Sequence, residues 1–127
     1  MPKALLIADT PWVVNEVKAA LSLEPWEIVE LADPSQAAAV AEQTWPDVAI
    51  IDMQVDAMGG MAIVRSLRDE LDPEDRPRTV LLLDRPPDAF IARRAGADAH
   101  VLKPINAADL RHAVAPETAP VGADEEE

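Results

Sequence analysis

Residues 47–68, DVAIIDMQVDAMGGMAIVRSLR, change character twice within one short stretch. Asp47–Ile51 is a nearly unbroken apolar run with two adjacent isoleucines, the composition of a strand buried on both faces. Asp52 ends that run. A short loop then closes on Gly59-Gly60, which reads as a turn and is too short to cradle a phosphate. From Gly60 to Leu71 apolar residues return at helical spacing. The stretch is therefore a β-then-α unit with an acid at the C-terminal end of its strand.

The same unit recurs along the chain. Apolar runs at Lys3–Ala8, Trp26–Leu31, Thr79–Leu83 and Ala99–Leu102 alternate with helix-period segments at Pro11–Leu23, Pro34–Thr44, Pro87–Ala95 and Asn106–Val114. Pro11, Pro34 and Pro87 suit a first helical turn, where the missing N–H costs nothing. Five such units predict an α/β fold, a doubly wound parallel sheet with helices on both faces.

The chain has 127 residues, of which 49% are apolar, so one domain with a real core is expected. That domain is read as residues 1–115. Residues 116–127, with Pro116, Pro120 and five acids, read as a disordered acidic tail. No room is left for an effector domain, so a stand-alone protein is expected. A net charge of −13 argues against nucleic acid as a direct partner, because phosphate binding needs clustered Lys and Arg. No apolar stretch is long enough to cross a membrane, and MPKALLIAD lacks the length and cleavage site of a signal peptide. Zero cysteines exclude a disulfide scaffold and thiolate chemistry, and the cytoplasm is the expected compartment.

In open α/β sheets, ligands bind beyond the C-terminal ends of the strands. Asp9, Asp52, Asp84 and Lys103 directly follow the first, third, fourth and fifth strands. Singly, each Asp reads as a helix cap or turn former and the Lys as surface. Together at one edge they read as a site. Three carboxylates and an ammonium suit a hard cation such as Mg²⁺ and a phosphoryl group, which an aspartate can itself accept as an acyl phosphate.

Residues 47–68, the segment AGADAHVLKPI (Ala95–Ile105) and the opening LLIADTPWVV resemble the receiver domains of bacterial two-component response regulators. The resemblance covers residues 3 to about 114. It implies a flavodoxin-like sheet of order 2-1-3-4-5 and a signalling domain rather than an enzyme. Asp52 falls on the phosphoacceptor, Lys103 on the active-site lysine, and Met58 and Gly60 on the loop's usual Met and Gly. Pro104 falls on a proline usually preceded by a cis bond. Mg²⁺ would be held by Asp9, Asp52 and the backbone carbonyl of Gln54. The implied partners are a histidine kinase or phosphotransfer protein, and an unknown downstream protein on the helix 4–strand 5–helix 5 face.

Three positions depart from the family pattern. Ala8 stands where receivers carry a first acid, so Mg²⁺ is expected to bind weakly. Asp84 replaces the Thr or Ser whose hydroxyl donates to the phosphoryl group. A carboxylate at ~5 Å repels that group by about 3 kcal/mol per charge pair at an effective dielectric of 20. Asp84 is expected to compete for Lys103; the bland alternative is a solvated pair with Arg85. His100 replaces the switch aromatic. It would either hydrogen-bond Asp84 and titrate near neutrality, or sit on the surface with no role. Trp12, Trp26 and Trp45 read as core or rim, with Trp12 bordering the site.

Two functions follow: a receiver phosphorylated on Asp52, or a phosphorylation-independent interaction module on the same fold. A haloacid-dehalogenase-like phosphatase would need a second Asp where Gln54 stands. A flavodoxin would need aromatics that a chain with no Tyr and one Phe lacks.

Overall fold

The computed structural model describes residues 2–53, 59–85 and 88–115. Gln54, Met58, Pro87 and the acidic tail lie outside them. The elements are β1 (Lys3–Ile7), α1 (Pro11–Ala20), β2 (Glu27–Leu31), α2 (Ala37–Thr44), β3 (Val48–Asp52), α3 (Gly60–Glu70), β4 (Arg78–Leu83), α4 (Asp88–Ala95), β5 (Ala99–Leu102) and α5 (Ala107–Val114). All strand pairs are parallel, in the order β2-β1-β3-β4-β5.

Every β3 residue is buried, as its unbroken apolar run required. Because side chains alternate along a strand, each strand feeds two cores. Leu5, Ile7, Ala49, Ile51, Leu81 and Leu83 face α2, α3 and α4. Ala4, Leu6, Val48, Ile50, Val80 and Leu82 face α1 and α5. Both helical layers are thus apolar on one stripe and wet on the other. No helix among the described residues is long and apolar enough to cross a membrane.

Element boundaries shift where local hydrogen bonds compete with the helix. The expected helix from Pro34 begins instead as a 3₁₀ turn, Pro34–Gln36. There the Asp33 carboxylate accepts from the Ser35 N–H at 3.0 Å, which tightens the first turn before α2 starts. Asn106 caps α5 by accepting from the Asp109 N–H at 3.1 Å.

In this winding the helix C-termini gather at the edge opposite the strand C-terminal ends. Four arginines meet them, one of them Arg111, which donates to Ala20 O (3.4 Å) at the end of α1. Arg68 donates to Ala95 O (3.2 Å), Arg76 to Leu71 O (3.1 Å) and Arg78 to Ala113 O (2.7 Å), at the ends of α4, α3 and α5. Each satisfies a terminal carbonyl and opposes the negative end of a helix dipole. Gly96 makes one of these contacts possible. Its φ is +99°, and a Cβ there would come within 2.2 Å of Arg68 Nη1.

Gly96→Ala is expected to lower unfolding stability by about 2–3 kcal/mol. About 1–2 kcal/mol is the left-handed backbone penalty and about 1 kcal/mol the displaced Arg68 hydrogen bond. In an Arg68→Ala background the same substitution should cost only the backbone part. Urea midpoints of the four proteins check this, and equal losses in both backgrounds would refute the steric coupling.

Candidate functional site

The alternation that builds the two cores also aims the site. Counting by twos from the core residues of the α1/α5 face, Val80 and Leu82 lead to Asp84, and Ala99 and Val101 lead to Lys103. Val48 and Ile50 lead likewise to Asp52, and Ala4 and Leu6 to Ala8. All four positions therefore share one face at the C-terminal edge. The register fixes their order across it. Asp52 pairs with Leu82, and Leu83 with Leu102, so Asp84 and Lys103 each lie one residue beyond a paired position.

Lys103 closes the arrangement. Its Nζ donates to Asp52 Oδ1 at 2.5 Å and to Asp84 Oδ1 at 3.1 Å. The Asp52 side chain is 1% exposed and that of Lys103 8%, whereas Asp84 keeps 34%. A carboxylate so fully removed from water needs a cation beside it, and Lys103 is that cation. Asp84 is the wetter and longer partner, so its hold on the ammonium is the weaker of the two. Asp84 thus shares the Lys103 ammonium with Asp52. The Lys103–Pro104 peptide bond is cis, as the resemblance implied.

The backbone around these side chains is held tightly. Lys103 N–H donates to Leu83 O at 2.8 Å and Met53 N–H to Leu82 O at 3.0 Å, extending the ladders past the strands. At the other end of β5, Asp98 accepts from both the N–H (2.8 Å) and hydroxyl (3.2 Å) of Thr79, which pins β5 to β4. Gly60 starts α3 directly under Asp52. A Cβ there would lie 2.8 Å from Leu81 Cδ2, 2.9 Å from Asp52 O and 2.9 Å from Met53 Cα, so only glycine allows this approach.

Asp9 stands on the β1 side of Asp52, exposed, two residues past the Ile7–Ile51 pair. Ala8 is buried in the α1/α5 core, where an acid would stand beside Asp52. Among the described residues no group of three or more His, Cys, Asp or Glu converges on a metal position. Asp9 and Asp52 are the available carboxylates, and the Gln54 carbonyl lies outside the described residues.

His100 is an exposed residue of β5, as the surface alternative has it. It pairs opposite Leu81, on the face that packs against α4, so it lies on the other side of the sheet from Asp84 and forms no hydrogen bond with it among the described residues. Partial burial, and then the Arg93 guanidinium, push its pKa below the ordinary imidazole value. Arg94 stacks over the Phe90 ring at 5.6 Å from its centroid. Trp12 borders the site, its ring centroid 6.0 Å from Lys103 Nζ. Trp45, at 65% exposure, is not a core residue. One contact had no local signal in the sequence: Glu16 Oε1 accepts the Ile105 N–H at 3.1 Å, across a separation of 89 residues.

Comparison with known proteins gives this geometry a context. Residues 4–115 match the response regulator receiver domain. The probable transcriptional regulatory protein TcrX of Mycobacterium tuberculosis is 33% identical over 105 residues, covering 80% of this chain and 43% of TcrX. This chain spans under half the length of the curated relatives it matches. The fold is shared with the receiver domain of the sensor histidine kinase PA1611 from Pseudomonas aeruginosa PAO1, solved with magnesium coordinated in its active-site cleft (TM-score 0.77, 23% identity, 89% of this chain and 93% of that one). It is shared also with the receiver domain of Saccharomyces cerevisiae Ssk1, solved with the histidine phosphotransfer protein Ypd1 (TM-score 0.76, 14% identity, 89% and 86%). With the family match running from the first strand past the last helix, the chain belongs to the response regulator receiver domains.

Proposed function

We propose that the domain accepts a phosphoryl group on Asp52 from a histidine kinase or phosphotransfer protein, with Lys103 as the cation that meets the transferred group. The observation that carries this reading is the 2.5 Å contact between Lys103 Nζ and Asp52 Oδ1 at the buried end of β3. A carboxylate oxygen of Asp52 attacks phosphorus, the bond from phosphorus to the donor nitrogen breaks, and the donor leaves with its electron pair. Transfer of this kind rests on positioning and charge compensation rather than on covalent work by the protein. Lys103 supplies one fixed positive charge.

The donor set fits Mg²⁺, which keeps several waters and is commonly held by one or two carboxylates. Asp9 and Asp52 would hold it, with the Gln54 carbonyl as a third ligand. When bound, it neutralises charge on the phosphoryl oxygens. Ala8 contributes no oxygen, so binding is weaker than in a site with two adjacent acids. The tail at residues 116–127 and the domain at residues 1–115 complete this reading. The protein works in the cytoplasm and passes its state to a downstream protein through the face of α4, β5 and α5. It makes no direct contact with nucleic acid.

A specific observation favours a second reading. Asp84 holds Lys103 at 3.1 Å, where a receiver's hydroxyl would donate to the phosphoryl group. An anion already beside the ammonium partly imitates the modified state. On this second reading the domain binds its partner constitutively.

Two outcomes separate them. Asp52→Asn should abolish modification by acetyl phosphate with Mg²⁺, read by intact mass, because an amide is not the required nucleophile; persistent modification would move the acceptor elsewhere. Asp84→Thr restores a donor and removes a negative charge. The bare repulsion is about 3 kcal/mol, on the order of a hundredfold, and partial exposure screens it, so beryllofluoride affinity should rise by more than about tenfold. Unchanged affinity with ready modification of the wild type would leave Asp84 without influence. Partner binding by Asp52→Asn at wild-type strength would establish the constitutive module.

A further inference from the structure

Helix α1 presents two different faces to the sheet. Val13, Val17 and Ala20 enter the core. Trp12 and Glu16, one helical turn apart, turn instead to the segment that follows β5. The Glu16 carboxylate accepts the Ile105 N–H at 3.1 Å, two residues past Lys103. The Trp12 indole stands 6.0 Å from Lys103 Nζ, within the reach of a cation–π contact.

Trp12 is 49% exposed, so core packing does not account for an indole at this position. Lys103, next to it, has a side chain only 8% exposed. The ammonium has Asp52 on one side and Asp84 on another, and Asp84 is itself 34% exposed, so the carboxylates alone do not explain so dry a cation. Beside the two carboxylates, the described residues bring the Trp12 ring to the ammonium, and an aromatic face attracts a cation.

We propose that Trp12 is a positioning residue, a roof over Lys103 anchored to the following turn by Glu16. It holds the ammonium against Asp52 and keeps water from the acyl phosphate beside it. The second clause rests on the phosphoryl-acceptor reading; the first does not.

The test begins with the full unmodified chain. Hydrogen exchange of the Lys103 ammonium, followed by ¹H–¹⁵N NMR, should quicken by about tenfold or more in Trp12→Ala and stay close to wild type in Trp12→Phe, which keeps a π-face. Should Trp12→Ala fail to fold, Trp12→Leu against Trp12→Phe carries the same comparison, since Leu retains bulk without a ring. Exchange unchanged in Trp12→Ala, or equally fast in the Phe and Leu variants, overturns the roof. In the second arm, with acetyl phosphate, the Trp12→Ala acyl phosphate should decay at least about threefold faster than wild type, with Trp12→Phe restoring most of the lifetime. Equal lifetimes overturn the water-excluding role. If the wild type is never modified, that failure belongs to the phosphoryl-acceptor reading, and ammonium exchange still decides the position of Trp12.

Discussion

A carboxylate at the end of the central strand, with no exposed surface of consequence, is the constraint around which this domain is arranged. Asp52 is 0% exposed. Removing such a group from water costs several kcal/mol unless a partner repays it. The partner comes from two strands away. With the order β1-β3-β4-β5, Lys103 must reach past the end of β4 to meet Asp52, and its long aliphatic stem makes that span. The contact therefore fastens β5 to the middle of the sheet at its functional edge, while Thr79 and Asp98 fasten the opposite end.

Because Lys103 crosses β4, whatever follows β4 meets its ammonium. Here that residue is Asp84. The charge balance of the site follows from this one position. Two carboxylates share a single ammonium, and any further anion arriving at Asp52 must contend with both. A neutral hydroxyl at the same place would leave the ammonium to Asp52 and offer a proton donor besides. The buried acid, the shared lysine and the missing acid at Ala8 thus act on one quantity, the free energy of adding negative charge at this edge.

The parallel winding separates charges along the strand axis. Arg68, Arg76 and Arg78 sit where α4, α3 and α5 end, and are occupied with helix carbonyls. Helix N-termini lie at the other edge, with the acids and Lys103. Although the chain is strongly acidic as a whole, these arginines serve the fold at one edge, and Lys103 meets the two carboxylates at the other. Gly60 and Gly96 serve these two ends in turn. Each lacks a side chain where backbone or guanidinium must come close.

Much of this was legible in the residues themselves. The unbroken run at Val48–Asp52 could only be a strand buried on both faces, and five alternating units could only be closed as a parallel sheet. Four ionisable residues directly after four strands marked one edge as the site, since strand ends are shared by all members of a parallel sheet. Even the side of the sheet was open to counting: residues two apart share a face, which puts Asp52, Asp84 and Lys103 together and His100 on the other side. What no local pattern contained was distance across the sheet. That Lys103 reaches both carboxylates, that Glu16 holds Ile105 and that Trp12 stands over the ammonium depend on register and on how α1 lies across the sheet. These contacts join residues dozens of positions apart. Sequence periodicity reports only the few residues within reach of one turn or one pleat, so their meeting was settled by packing alone.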